Sequence, residues 1–257
     1  MTDKRTHDGP TKWKPLVYEP TAKNTVRLRE VVPSTTVYRY MRLKQFEDLV
    51  NDRRLKLLPP QTWDDPHEQW WCESLFRKGS GLANTRAYAL CWTTAYMDDA
   101  FWRSYACWCG PGHPPPPPAV RIRTTVGKLE EAMRGAVNDS GPAKAFIGRV
   151  HYHRRDDLDR AAARLRNGEA KEVSAEVANG LHMKRTAFAF EKEIRVLWVD
   201  QQAQREETYV TVDPHALIDQ VMVGPSKHAD LLAHVNKSVA DLGFDPSKSS
   251  IYTPPSR

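Results

Sequence analysis

Glu191, Glu193 and Arg195 stand two residues apart in the run Lys184-Arg-Thr-Ala-Phe-Ala-Phe-Glu-Lys-Glu-Ile-Arg-Val-Leu-Trp-Val199. Ile194, Val196 and Trp198 alternate with Glu193, Arg195 and Leu197, so a strand is expected from Glu193 to Val199. If that strand begins by Glu191, both acids and Arg195 share one face. A charged row between apolar neighbours costs free energy unless it is exposed, paired or used. The row is therefore either a solvated salt-bridge ladder or a site.

Other residues have the types for a site. Arg39 alternates with apolar and aromatic side chains in Val37-Tyr-Arg-Tyr40. Such an arginine either lies on the wet face of a sheet or is held by an anion, and its planar fork suits a phosphate. Tyr40 stands beside it. Trp102 and Tyr105 are three apart on an expected helix and share a face, as core residues or as the wall of a pocket for a planar ring. Arg121 and Arg123 flank Ile122 on one strand face, either solvated or in contact with phosphate. His151 and His153 alternate around Tyr152, but no acid or further histidine stands at metal-ligand spacing. Cys107-Trp-Cys109 lacks the two-residue gap of a zinc knuckle and no second pair follows it, so no metal is expected.

The elements that must hold these residues alternate without regular βαβ repeats. Strands are expected over 35–42, 54–58, 86–93, 119–125, 146–153, 193–199, 208–212 and 220–223. Helices are expected over 43–51, 67–78, 98–107, 126–137, 156–177 (interrupted near Asn167-Gly168), 181–186 and 227–242. Ile251 and Tyr252 suggest a short edge strand. This pattern predicts an α+β fold: one domain over 34–257, with a mixed or antiparallel central sheet and flanking helices. Residues 1–33 are polar with scattered proline and read as an extended arm. Gly110 to Pro118 holds five consecutive prolines and reads as a stiff surface loop.

The 257-residue chain is 40% hydrophobic and 27% charged, enough apolar material for a core. A net charge of +6 admits an anionic partner without requiring one. No stretch approaches the length of a membrane span and no apolar signal core opens the chain, so a cytoplasmic protein without a membrane partner is expected. Four cysteines without a secretion signal argue for free thiols. Gly-rich phosphate loops and a Gly-x-Ser-x-Gly elbow are absent from the sequence.

Taken in order, Val37-Tyr-Arg-Tyr, Cys91-Trp-Thr, Phe101-Trp-Arg-Ser-Tyr105, Val120-Arg-Ile-Arg-Thr-Thr125, Phe190-Glu-Lys-Glu-Ile-Arg195 and Ile218-Asp-Gln-Val-Met-Val-Gly-Pro225 resemble the bacterial domain-of-unknown-function 2971 family, from about Val37 to Ile251. A short turn is expected there in place of the proline run. The first strand with Arg39, a helix and return strand, and a late Glu-x-Glu are similar to the arginine-type ADP-ribosyltransferases. That resemblance implies NAD as substrate, with Arg39 on its phosphates. Cys91-Trp-Thr93-Thr94 would shape the nicotinamide pocket, where a Ser-x-Ser is the family's pattern. Glu193 would be catalytic and Glu191 would position the acceptor. Tyr40, Trp102, Tyr105 and Arg195 complete the expected binding set. On this reading the chain is an ADP-ribosyltransferase-like or NAD-cleaving enzyme, with a toxin or antiphage setting among its possible uses, and Glu193→Gln removes nicotinamide release at a nearly unchanged melting temperature. The competing reading is a non-catalytic nucleotide- or nucleic-acid-binding module. It rests on Arg53-Arg54, Arg121/Arg123, Arg154-Arg155 and Lys184-Arg185, whose affinity for DNA or RNA would depend on salt.

Overall fold

In the computed structural model, residues 16–77, 82–96, 99–106, 118–139, 142–166, 172–201, 208–225 and 230–251 are described. Residues 1–15, Cys107, Cys109, the side chain of Tyr105 and the expected loop 110–118 apart from Pro118 lie outside them. The strands are β1 (Tyr18–Ala22), β2 (Thr25–Leu28), β3 (Thr36–Arg42), β4 (Arg54–Leu57), β5 (Arg86–Thr93), β6 (Ala119–Thr125), β7 (Lys144–Arg149), β8 (His151–His153), β9 (Met183–Arg185), β10 (Glu193–Asp200), β11 (Thr208–Thr211), β12 (Gln220–Val223) and β13 (Ser247–Lys248). The helices are α1 (Leu43–Asn51), α2 (Pro66–Leu75), α3 (Asp99–Ala106), α4 (Val126–Asp139), α5 (Arg155–Arg166), α6 (Val173–Leu181), α7 (Pro214–Leu217) and α8 (Leu231–Ser238).

Nine strands form one mixed sheet in the order β1-β2-β7-β10-β5-β3-β6-β12-β13. Its neighbours are antiparallel except for β2 with β7 and β12 with β13. β10 is central and pairs along its length with β5 on one side and β7 on the other. Its side chains are buried on both faces, which accounts for Ile194, Val196 and Trp198 packing into one core and Leu197 and Val199 into another. The first core lies under α1, α4 and α8, and the second under α2, α5 and α6. The chain is thus a single mixed α/β domain with helices on both faces of its sheet.

Four expectations are corrected. Part of the segment read as an arm forms the β1–β2 hairpin at the sheet edge. Pro20 and a register shift between Pro20 and Ala22 suit an edge strand and hide its alternation. The expected strand 146–153 breaks at Val150 into β7 and β8, which belong to different sheets. Met183 to Arg185, read as helix, is a strand because it finds a parallel partner in β8. At the C-terminal end the edge strand is Ser247–Lys248 and Ile251 lies in a turn, while Tyr252 lies outside the described residues.

The sheet is opened between β3 and β5. Their ladder is a single pairing, Tyr38 with Thr93, whereas β3 pairs with β6 from Thr36 to Arg42. Further along β5, Leu58 takes the place of β3 by exchanging backbone hydrogen bonds with Ala89 at 3.1 and 2.8 Å. Two central strands that diverge leave a gap lined by backbone and side chains of both, and a cleft forms there.

Gly148 on β7 shows how tightly the far side of this sheet is closed. A Cβ at Gly148 would lie 2.1 Å from Leu28 Cδ1 and 3.0 Å from His182 Nε2. Leu28 is buried, and the His182 ring nitrogens lie 2.9 and 3.2 Å from the carbonyls of Ala178 and Arg195. Gly148→Ala is therefore expected to lower the unfolding free energy by about 2 kcal/mol. The change would be read as a lower urea midpoint at an unchanged m-value.

Candidate active site

Glu193 opens β10, but Glu191 is not on that strand. Thr186 to Glu191 form a 3-10 turn, and Lys192 takes a left-handed conformation with φ of 45° before the strand starts. The turn brings Glu191 back toward the strand face on which Glu193 and Arg195 lie. Thr93 at the end of β5 pins it: its hydroxyl donates to the Glu191 carbonyl at 2.6 Å and accepts from the Ala95 amide at 2.9 Å. The Thr94 amide donates to the Lys192 carbonyl at 3.1 Å. On β8, the Tyr152 hydroxyl accepts from the Glu193 amide at 3.0 Å.

The charged side chains then meet. Arg195, 1% exposed, donates from Nε and Nη2 to the two oxygens of Glu193 at 2.7 and 2.9 Å. Nη2 also reaches Glu68 of α2 at 2.8 Å, and Nη1 reaches the Leu181 carbonyl at 2.5 Å. Lys184 of β9 lies 2.7 Å from Glu191, 3.2 Å from Glu68 and 3.6 Å from Glu193. Three carboxylates therefore face two cations, a formal excess of one negative charge.

The environment drives the two glutamates apart. Burial raises the Glu193 carboxyl, but Arg195 and then Lys184 more than reverse this and hold it at about 2, below the ordinary 4.5. Glu191 is shifted the other way, raised by burial beyond what Lys184 offsets. Burial also works against the Lys184 charge, yet the three carboxylates outweigh it and raise the ammonium above its usual value. Cys91, partly accessible on β5, has its thiol pushed up by desolvation and then by Glu193, so it is a neutral thiol.

These groups line one side of a cleft of about 710 Å³ that runs through the gap between β3 and β5. Arg39 lines it from β3. Its Nη1 donates to the Cys91 carbonyl at 2.5 Å, a carbonyl left without a β3 ladder partner by the splay. Arg39 has no acidic partner among the described residues. Aromatic rings complete the walls. Trp63 lies under the Arg195 guanidinium at 4.3 Å, and Phe188 lies 4.8 Å from the Lys184 ammonium. Phe101 stacks on Tyr40 at 5.1 Å.

Of the residues anticipated from sequence, Arg39, Tyr40, Thr93, Glu191, Glu193 and Arg195 line this cleft together. Tyr40 is buried beneath Phe101, and Thr93 spends its hydroxyl on the backbone. Trp102 lies behind, 1% exposed and edge-on to Tyr40 at 4.7 Å, as a core residue. Glu68, Trp63 and Phe188 were not anticipated. Asp65 caps α2 and Pro66 follows it, so Asp65-x-x-Glu68 reads as a helix start, and only the fold turns Glu68 inward. The basic clusters divide: Arg53, Arg54, Arg154 and Arg155 are exposed, whereas Arg121 and Lys184 are buried. Arg54 pairs with Asp52, Arg185 with Asp65, Lys184 lies in the ion cluster, and Arg121 is buried. The His151 and His153 rings lie 6.5 Å apart. Among the described residues no three His, Cys, Asp or Glu side chains cluster as a metal site. No described helix is long and apolar enough to cross a membrane.

Among solved structures the chain is similar to Thermus sp. 2.9 DarT in complex with ADP-ribosylated ssDNA, at 13% identity and a TM-score of 0.37, covering 86% of this chain and 95% of that one. It is also similar to Thermus sp. 2.9 DarT in complex with NAD+, at 11% identity and a TM-score of 0.34, covering 85% and 97%. Likeness this distant settles neither ligand nor activity. No model of a known protein family matches the chain, so the resemblance to the domain-of-unknown-function 2971 family finds no support there, and no curated protein matches it.

The burial of Glu193 corrects the expectation that Glu193→Gln leaves the melting temperature nearly unchanged. A carboxyl depressed from 4.5 to about 2 stabilises the fold above pH 4.5 and loses that contribution as the pH falls toward 2. The contribution is about 3 kcal/mol. Glu193→Gln is expected to be less stable than wild type by about 3 kcal/mol at pH 7, because it weakens a buried pair. Its stability should then change less between pH 4.5 and 2. Urea unfolding of both proteins across that range is the measurement.

Proposed function

We propose that the cleft binds a dinucleotide of the NAD type and breaks its nicotinamide–ribose bond, as an ADP-ribosyltransferase-like or NAD-cleaving enzyme. One observation carries this reading: the cleft is bipolar. Arg39, without an acidic partner among the described residues, lies on one side, and the carboxylate-rich Glu68, Glu191 and Glu193 cluster lies on the other. The ligand that suits such a cleft is anionic at one point and becomes cationic at another. NAD has this polarity, with a diphosphate in its middle and a ribose that gains positive charge as nicotinamide departs.

The chemistry follows from the two carboxyl environments. Glu193 stays ionised at any ordinary pH, which suits it to stabilising an oxocarbenium-like ribose from a fixed position. Glu191, partly accessible and raised in pKa, is suited to taking a proton. In the proposed step the ribose C1′–nitrogen bond breaks and its electron pair leaves with nicotinamide. An acceptor hydroxyl or water bonds to C1′ and gives its proton to Glu191. Trp63 and Phe188 offer ring faces for the planar nicotinamide. Thr93 and Tyr152 act as positioning residues, because they hold the backbone of the two acids.

Glu191 is the better residue for a test, since its loss does not unpair Arg195. Glu191→Gln is expected to slow nicotinamide release by about a hundredfold or more, with a melting temperature close to wild type. Arg39→Ala is expected to raise KM for NAD more than it lowers kcat. Absence of both nicotinamide release and an NAD-induced thermal shift in the wild type would remove the proposal. In a toxin or antiphage setting, expression of the wild type slows growth and Glu191→Gln restores it.

A further inference from the structure

Arg121 is the least compensated charge among the described residues. It lies on β6, 1% exposed, and among the described residues its side chain makes one hydrogen bond, from Nη2 to Gln220 at 3.3 Å. Its Nε and Nη1 have no partner, and no carboxylate pairs with it among the described residues. Two tyrosine rings hold it instead. The guanidinium carbon lies 4.7 Å from the ring centre of Tyr38 and 4.9 Å from that of Tyr96. Cation–π contacts offset part of the cost of burying the charge, but they leave those two donors unmet.

Its position bears on the cleft. Arg121 pairs with Tyr40 across the β3–β6 ladder, and Arg39 pairs with Ile122, so the two side chains leave opposite faces of the sheet. Arg121 shares the face of Tyr38, Tyr40, Thr93 and Glu193, which line the cleft, and Arg39 enters the cleft through the gap between β3 and β5. Tyr38, one of the covering rings, itself lines the cleft. Tyr96, the other, is 59% exposed. It follows a segment anchored by Thr93 and Thr94, and its own ring touches Tyr38 and Arg121. A mostly exposed ring can turn into water at small cost.

We infer that Arg121 is a second phosphate-binding cation of the cleft, covered by Tyr96 until a diphosphate enters. A diphosphate needs more positive charge than Arg39 alone supplies. As the anion approaches, Tyr96 turns outward, and the open donors of Arg121 take phosphate oxygens in charge-assisted hydrogen bonds. Tyr96 is then a cover whose removal adds affinity, because the uncovered state no longer has to be selected from a minor population. This rests on the dinucleotide reading only for the identity of the ligand. The anion subsite itself is tested with inorganic pyrophosphate.

The experiment is calorimetric titration of the full chain with pyrophosphate, in wild type, Tyr96→Ala, Arg121→Met and the double variant. If Tyr96 covers the guanidinium about nine-tenths of the time, Tyr96→Ala tightens Kd about tenfold. Arg121→Met is expected to weaken binding at least tenfold, and the double variant to match Arg121→Met. Replacing an unpaired buried charge with an apolar chain of similar length is tolerated, so Arg121→Met should melt no lower than wild type. If it fails to fold, the comparison of wild type with Tyr96→Ala carries the test, since Tyr96 is exposed. Equal Kd values in wild type and Tyr96→Ala, or a gain in Tyr96→Ala that survives in the double variant, overturn the subsite. Loss of nicotinamide release with this pattern intact overturns only the NAD reading, and the reverse result overturns only the subsite.

Discussion

The guanidinium of Arg195 is the point on which the cleft depends. It is fully desolvated, so each of its donors must be met inside the protein, and the partners come from three places. Glu193 is on its own strand, Glu68 is on α2, and the Leu181 carbonyl ends α6. The Trp63 ring covers one face of the plane. One side chain thereby fixes two helices and a turn against the central strand. Losing any one acid would leave a buried cation short of a partner, a far larger penalty than the pair is worth over an apolar alternative.

That requirement also explains the electrostatics of the cleft. Arg195 alone would leave Glu193 and Glu68 with one neutralising charge between them. Lys184 supplies a second, and Glu191 then restores an excess of negative charge at the accessible rim. The arrangement is graded: Glu193 is the most buried and the most firmly ionised, whereas Glu191 is more accessible and more easily protonated. Two carboxyl groups of one residue type acquire different chemistry from their surroundings.

Much of the fold is legible in the sequence where the signal is local. Arg86–Thr93, Ala119–Thr125 and Gln220–Val223 are strands over the expected residues because apolar or β-branched runs end at clear turn or cap signals. Leu43–Asn51 is the expected helix, with Phe46, Leu49 and Val50 buried. The hairpin at 18–28 was hidden because Pro20 and a register shift break its alternation, and the strand at 183–185 because it exists through a partner about 30 residues earlier in the chain. For the site, the alternation around Glu193 correctly placed Arg195 and the acid on one face. Glu191 reaches the same place by a turn rather than by strand periodicity. Glu68 carries no local signal of its role, since an acid in the first turn of a helix already has an explanation.

The charged row at the start of β10 was open between a solvated salt-bridge ladder and a site, and its burial excludes the solvated ladder. A solvated ladder contributes little, because water screens it and its side chains keep their freedom. This network is buried, so it orders the elements around it. Its rim opens into a cleft, so the same ordering fixes the carboxylates before any ligand arrives. Pre-organised charge is what a site needs to favour a developing cation without reorganising during the reaction. On the proposed reading structure and chemistry would share Glu193, whose removal would disturb both. Glu191 is held through its backbone by Thr93 and through its carboxylate by Lys184 at the edge of the network, so on the proposed reading it is where the two roles would separate.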